Sequence, residues 1–344
     1  MRHPYRIREI AEQAGLSEAT VDRVLHGRSG VRASTVAEIQ QAIADLDRQR
    51  SQLRLTGHTF MLDLVMQAPT RFSSAVRKAL EAELPLLQPA IVRSRFHLEE
   101  GSEPHEVART LNSLARRGSH GVLLKAPDGP VVADAIAGLV DEGVPVVTLF
   151  TDVPLSRRAA YVGIDNRAAG ATAAYLLTQW STGRGSVLVT VSSSSFRGED
   201  EREIGFRAAL RQMAPGRTVR EVTDTDGLDA AMLDAVSTAL RDDPSIDSVY
   251  SVGGGNLATL SAFERLGHGL AAFVAHDLDS DNLALLRQRR ISAVLHHDLR
   301  DDMRRACRLI LQARGFLPGV PRSLPSHIQV ITPYNEPAAL VRPE

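Results

Sequence analysis

The chain is almost without cysteine: one thiol, Cys307, in 344 residues. That excludes an intramolecular disulfide framework and any multi-cysteine zinc site. Cys307 falls at helical spacing with Met303, Ala306 and Ile310, which reads as a buried structural thiol. Aromatic residues are scarce, at 4%, which argues against a site for a large stacked saccharide. No run approaches the ~20 apolar residues that a membrane helix needs. The opening MRHPYRIREIAEQAG has no apolar stretch behind its charges, so it is not expected to be a secretory signal, and a cytoplasmic protein without membrane partners is expected. Net charge is only −1, so no global attraction to nucleic acid is visible. Residues 1–57 hold nine arginines against seven acids, a surplus too mild to suggest DNA binding by itself.

What is present divides into two patterns. Ile7, Ile10, Ala11 and Ala14 recur at helical spacing, as do Val21, Val24 and Leu25, then Val36, Ile39, Ile43 and Leu46. Three short helices around one small core are expected there. From Phe60 onwards, ten short β-rich runs alternate with helical stretches. The runs are 60–66, 91–96, 121–125, 145–150, 161–164, 186–191, 219–223, 248–252, 272–275 and 292–295. Such alternation implies βαβ units and parallel sheets. Ten strands exceed one comfortable doubly wound sheet, so two α/β lobes are expected behind a small all-α domain. The polar, Arg-rich segment 47–58 (DRQRSQLRLTGH) lies between the patterns and reads as a linker.

The most informative string runs from Arg6 to Arg28. Gly15 sits where the chain must turn sharply after a first helix, and Ser17 is placed to cap a second. Spacing alone leaves a plain αα-hairpin and a helix-turn-helix equally open. The residues Ile7, Glu9, Ile10, Ala11, Ala14, Gly15, Ser17, Thr20, Val21, Arg23, Val24 and Leu25 closely resemble the head of lactose-repressor (LacI-type) regulators. The resemblance implies that the second helix enters the major groove of operator DNA, with Glu18, Ala19 and Arg23 facing base edges. Ser17, Thr20, His26, Arg28 and Arg32 would hold phosphates. Asp22 stands where the family usually has serine, and it can pair with Arg28 or face a base. The family's usual Y-x-P-N hinge is absent from residues 47–57. Leu53 or Leu55 could supply a minor-groove wedge, or the segment could only space the two parts.

The rest of the chain resembles the ribose-type periplasmic sugar-binding proteins. The carriers are Val144–Leu149, Tyr161–Gly170 with Asp165 and Asn166, then Arg202–Phe206, then Val274–Asp277. The implied lobes are about 60–164 with 297–325, and 165–296 with 326–344, within an effector domain of 58–344 behind a head of 1–57. Residues just after strands are the candidate effector contacts: Gln67, Arg71, Phe72, Asp152, Phe196, Arg202, Asn256, Asp277 and His297. Asp165 and Asn166 read instead as a helix cap. No cofactor is expected.

Enzyme readings fare worse. His296-His297-Asp298 is dense in metal ligands, but adjacent residues at a strand end point opposite ways. Gly253–Gly255 lacks a G-x-G-x-x-G or a P-loop lysine, and Ser192–Ser195 lacks a G-x-S-x-G elbow. The reading is a non-enzymatic, sequence-specific regulator, a homodimeric repressor of a carbohydrate uptake or catabolic operon, answering to a sugar, polyol or sugar phosphate. The alternative is a sugar-binding protein with no DNA role.

Overall fold

The computed structural model describes all residues except 1–2, 182, 184, 193–194, 224, 226–228 and 338–344. Three helices open the chain: α1 (Ile7–Ala14), α2 (Glu18–Leu25) and α3 (Ala33–Leu55). Gly15 turns the chain between the first two with a left-handed φ of +66°, a region open to glycine at little cost. Ser17 then caps α2, its hydroxyl accepting the Thr20 amide at 3.3 Å. Ile10, Ala11, Val21, Ile39 and Ala42 make the small core. The Tyr5 hydroxyl donates to Asp47 at 2.6 Å, tying the start of the chain to α3.

The segment from 47, read as a linker, is helical: α3 runs unbroken for 23 residues to Leu55. Arg, Gln and Leu are good helix formers, and no glycine or proline interrupts them before Gly57. Polarity made the segment resemble a spacer, whereas helix propensity decides its structure.

Behind α3 come β1 (Thr59–Gln67), α4 (Thr70–Glu83), β2 (Ile91–Glu99), α5 (Pro104–Leu114), β3 (Gly121–Lys125), α6 (Pro130–Asp141), β4 (Val146–Leu149) and β5 (Ala160–Val162). Their parallel sheet has the order β2-β1-β3-β4-β5. Next follow α7 (Asn166–Trp180), β6 (Val187–Thr190), α8 (Arg197–Met213), β7 (Val219–Val222), α9 (Asp229–Asp242), β8 (Ser248–Ser251), α10 (Asn256–Leu266), β9 (Ala272–His276), α11 (Ser280–Arg287) and β10 (Ala293–His296). The chain then returns through α12 (Leu299–Ala313) to the first lobe and ends on β11 (Gln329–Ile331) in the second. The second sheet has the order β11-β10-β9-β8-β6-β7, parallel except for β11 against β10.

The central strands β3, β4, β6, β8, β9 and β10 are apolar-rich and almost wholly buried, as strands covered on both faces must be. In the first lobe, Phe60, Leu62, Leu64 and Met66 of β1 pack against Val76 and Leu80 of α4 and Met303 and Ile310 of α12. Val122 and Leu124 face α5 and α6 on the opposite side. All ten expected strands are present. The short antiparallel β11 was not expected, since three residues carry too little periodicity to signal a strand.

The chain passes between the lobes three times: at 163–165, at 297–298 and at 314–328. The carboxyl ends of both sets of parallel strands face the resulting cleft.

Candidate functional site: a charged cleft and an exposed helix

The cleft encloses about 70 Å³. At about 10–15 Å³ per water, that is space for about five waters, the scale of a single sugar ring rather than a chain of them. Its walls come from both lobes. Gln67, Arg71, Phe72, Lys125, Phe150 and Thr151 belong to the first; Phe196, Glu199, Arg202, Asp277, Asp279 and Asn282 belong to the second.

Charges alternate around it. Arg71 reaches across from α4 to Asp279, Nε to Oδ2 at 3.2 Å. The Lys125 ammonium ends β3, donates to the Gln67 carbonyl at 2.8 Å and sits 3.8 Å from the Phe196 ring centroid. Burial pushes the Lys125 pKa down to about 8. Arg202, buried, donates from Nε to Asn166 Oδ1 at 2.8 Å and from Nη1 to the Val252 carbonyl at 3.0 Å, with Asp277 at 4.0 Å. Burial opposes ionisation of Asp277, yet His297 and Arg202 hold its carboxyl well below the usual range. Burial prevails at Asp279 and raises its pKa to about 6. Three cations (Arg71, Lys125, Arg202) meet four carboxylates (Glu100, Glu199, Asp277, Asp279) on the walls. Behind Asp277 lies His297, where burial is outweighed by Asp277 and Asp302 and the pKa stands at about 9, so the imidazole is charged at neutral pH.

Two wall residues hold a left-handed backbone without being glycine: Phe150 and Asp277, both at φ +63°. Such strain costs on the order of 1–3 kcal/mol per residue and concentrates where geometry serves a ligand.

Six of the nine expected effector residues come together here: Gln67, Arg71, Phe72, Phe196, Arg202 and Asp277. Three do not line the cavity. Asp152 is ion-paired with Arg158 and accepts the Thr148 hydroxyl at 2.7 Å, so it braces the loop after β4. Asn256 opens α10 and donates to Asn282 at 2.6 Å, supporting a wall residue from behind. His297 is buried to 1% exposure behind Asp277. Lys125, Glu199, Phe150, Asp279 and Asn282 were missed by the sequence reading. Lys125 carried a signal, as a lone cation ending the apolar strand β3. Asp165 does cap α7, accepting the Ala168 amide at 3.0 Å.

On the head, Glu18, Ala19 and Arg23 are exposed on α2, with Arg28 and Arg32 exposed beyond it. The Ser17 hydroxyl is shared with Thr20 at 2.8 Å. Asp22 ion-pairs with Arg28 at 3.2 Å and stands 3.1 Å from the His26 ring, so both side chains are held beside α2. Leu53 is 76% exposed. Leu55 is not available as a wedge: it is buried in the first lobe's core with Phe60. To enter a groove it would have to leave that core, at roughly 1.5–3 kcal/mol for a leucine side chain.

Among the described residues, no group of three or more His, Cys, Asp or Glu is arranged to hold a metal ion. No described helix is long and apolar enough to cross a membrane.

A two-lobed clamp on parallel sheets, joined to a helix-turn-helix, defines a ligand-clamp regulator architecture. Residues 65–315 match the family described as periplasmic binding protein domain, and residues 6–50 match the bacterial regulatory proteins of the lacI family. The chain belongs to the periplasmic binding protein domain family and carries a lacI-family DNA-binding head. It is 26% identical over 257 residues to the maltose regulon regulatory protein MalI of Escherichia coli K12, covering 71% of this chain and 70% of that protein. It is also 26% identical over 183 residues to the HTH-type transcriptional regulator AglR of Rhizobium meliloti, covering 51% and 50% respectively. Among solved structures, the glucose-galactose binding protein GanP of Geobacillus stearothermophilus superposes with a TM-score of 0.73 at 20% identity, covering 81% of this chain and 99% of that one. A solute binding protein of Burkholderia graminis in complex with D-arabinose gives 0.72 at 22%, covering 81% and 96%. At those identities the likeness shows the fold.

Proposed function

We propose that this chain is a cytoplasmic transcriptional repressor whose operator affinity is set by a neutral, hydroxyl-rich ligand of monosaccharide size held between the two lobes. The DNA-binding role rests on the lacI-family head and on relatives that are themselves regulators. The observation that carries the ligand class is the charge balance of the cleft. Its three cations already face four carboxylates, and His297 behind Asp277 is itself paired with Asp302, so no uncompensated positive charge is left for an anion. A neutral polyol can donate to Asp277 and Glu199 while accepting from Arg202 and Lys125, whereas a phosphate would leave carboxylates beside its own charge. Phe72, Phe150 and Phe196 offer ring faces for the apolar side of a sugar. The structural relatives that hold sugars favour the same class.

Glu18, Ala19 and Arg23 read base edges; Ser17, Thr20, His26, Arg28 and Arg32 hold phosphates, with Asp22 tuning His26 and Arg28. Two chains pair so that their heads meet adjacent half-sites of a near-palindrome. No catalytic role is assigned to the cleft. The alternative, a sugar-binding protein without a DNA role, leaves the exposed face of α2 without a use.

Thermal unfolding against a panel of pentoses, hexoses, polyols, sugar acids and sugar phosphates tests the ligand class. A true ligand at 100 times its dissociation constant adds about 2.7 kcal/mol, and the midpoint rises by a few degrees. A neutral monosaccharide is expected to do this. A response confined to sugar phosphates would overturn the charge argument.

A further inference from the structure

His297 occupies the second interlobe crossing, directly after β10 and before α12. Its two ring nitrogens face different parts of the molecule. Nδ1 donates to Asp302 Oδ2 at 2.5 Å, on the α12 side of the crossing. Nε2 points at Asp277 Oδ1, a cleft wall, but stands 3.6 Å away and makes no hydrogen bond. Asp302 uses its other oxygen to accept the Ser326 hydroxyl at 2.5 Å. Ser326 lies on the third crossing, and its amide donates to the Gly163 carbonyl, on the first, at 2.8 Å. One hydrogen-bonded line therefore joins all three crossings, and its free end faces the ligand-side carboxylate. The two strained residues of the cleft flank that end. Asp277 is one, and the Phe150 ring lies 5.4 Å from the imidazole.

We propose that His297 is the coupling residue of this regulator, joining the cleft carboxylate Asp277 to the Asp302–Ser326–Gly163 hinge line so that cleft occupancy and lobe setting move together. The proposal rests on the cleft being the effector site. A hydroxyl engaging Asp277 turns its carboxylate, and closing the 3.6 Å gap gives Nε2 a partner that the present arrangement withholds. Such a bond, present in one arrangement and absent in the other, is the differential contact that any ligand-driven shift requires. The charged and titratable groups facing the ring are few. They are Asp302 from α12, Asp277 and His276 at the end of β9, and the His296 ring 5.8 Å away; Arg202 stands 4.0 Å from Asp277, and Arg305 of α12 stands 3.8 Å from Asp302 and donates to the Ser326 hydroxyl at 3.1 Å.

The test uses the full chain with neither sugar nor DNA. Spin labels on cysteines replacing Glu142 and Asp242, exposed at the helix ends of the two lobes, report the interlobe distance; native Cys307 is buried and stays unlabelled. The parent is expected to show one narrow distance population, and His297→Gln and Ser326→Ala each to gain a second, longer one. An unchanged single population in both variants would overturn the proposal. Should His297→Gln fail to fold, Ser326→Ala, which deletes only one hydroxyl, carries the test alone. The cleft end is read by imidazole NMR: Asp277→Asn is expected to lower the pH at which the His297 ring loses its proton, and an unshifted titration would cut Asp277 from the line. A failed sugar panel would remove the ligand reading but leave these distances standing.

Discussion

Replacing Arg202 by methionine separates what this residue does for the fold from what it does for a ligand. The guanidinium is buried, and it satisfies the Asn166 side-chain oxygen and the Val252 carbonyl while standing 4.0 Å from Asp277. Methionine fills much of the volume and supplies no donor. Two buried acceptors then lose a partner, at about 1–3 kcal/mol each. Together these cost about 2–6 kcal/mol, and the partly buried Asp277 carboxylate also loses its cation. At about 2–4 °C per kcal/mol for a body of this size, the unfolding midpoint should fall by roughly 4–24 °C. Far-UV circular dichroism on the parent and variant measures it, with Arg202→Lys expected to lie between them. Operator binding at low temperature should survive, because the head has its own core of Ile10, Val21 and Ile39. The sugar-induced rise in midpoint should disappear. A fall of under about 2 °C would show that the Arg202 bonds to Asn166 and Val252 contribute little to holding the second lobe.

Other outcomes follow from single features. Arg23→Ala should cost ~1–3 kcal/mol of operator binding and relax specificity at one base pair, whereas a uniform loss over all duplexes would make Arg23 a phosphate contact. At Gly170, where α7 crosses α8, an added Cβ would stand 1.9 Å from the Arg202 carbonyl oxygen. Gly170→Ala should therefore destabilise by about 1–3 kcal/mol despite the better helix propensity of alanine, and a stabilised variant would disprove the close crossing. His297, held at about 9 against 6.5 in an unfolded chain, contributes stability that is full below pH 6.5 and lost as pH rises through 9. Lys125, lowered to about 8, works in the opposite direction above that pH. His276 and His296, which burial holds below 6.5, add stability as pH rises through 6.5 and offset His297 there. The readout is therefore the difference between the two proteins: between pH 6.5 and 8, denaturant midpoints of the parent should fall relative to those of His297→Gln.

The architecture was legible because its signals are local and repeated. Apolar strand runs such as Gly121–Lys125 and Ala272–His276 leave little alternative to a covered parallel sheet. Gly15 and Ser17 mark a turn and a cap whose chemistry can be read one residue at a time. The cleft was legible only in part, since which residue lines it depends on the packing of distant segments. Arg71 and Asp279 are far apart in the chain and meet across the lobes. Asp152, placed after β4 like a ligand residue, is taken instead by Arg158 six positions on. Leu55 shows the same limit: its spacing suited a wedge, but the continuous α3 delivers it into the first lobe.

The central claim, that a sugar held in the cleft changes operator affinity, is tested most directly on selected DNA. Duplexes enriched from a random pool by the full chain would be titrated with protein, with and without each monosaccharide of the panel, at fixed salt. The account predicts a near-palindromic site and one neutral monosaccharide that changes its affinity by roughly 5–150-fold, the range of a ~1–3 kcal/mol coupling. A sugar that stabilises the protein yet leaves operator affinity unchanged would contradict it.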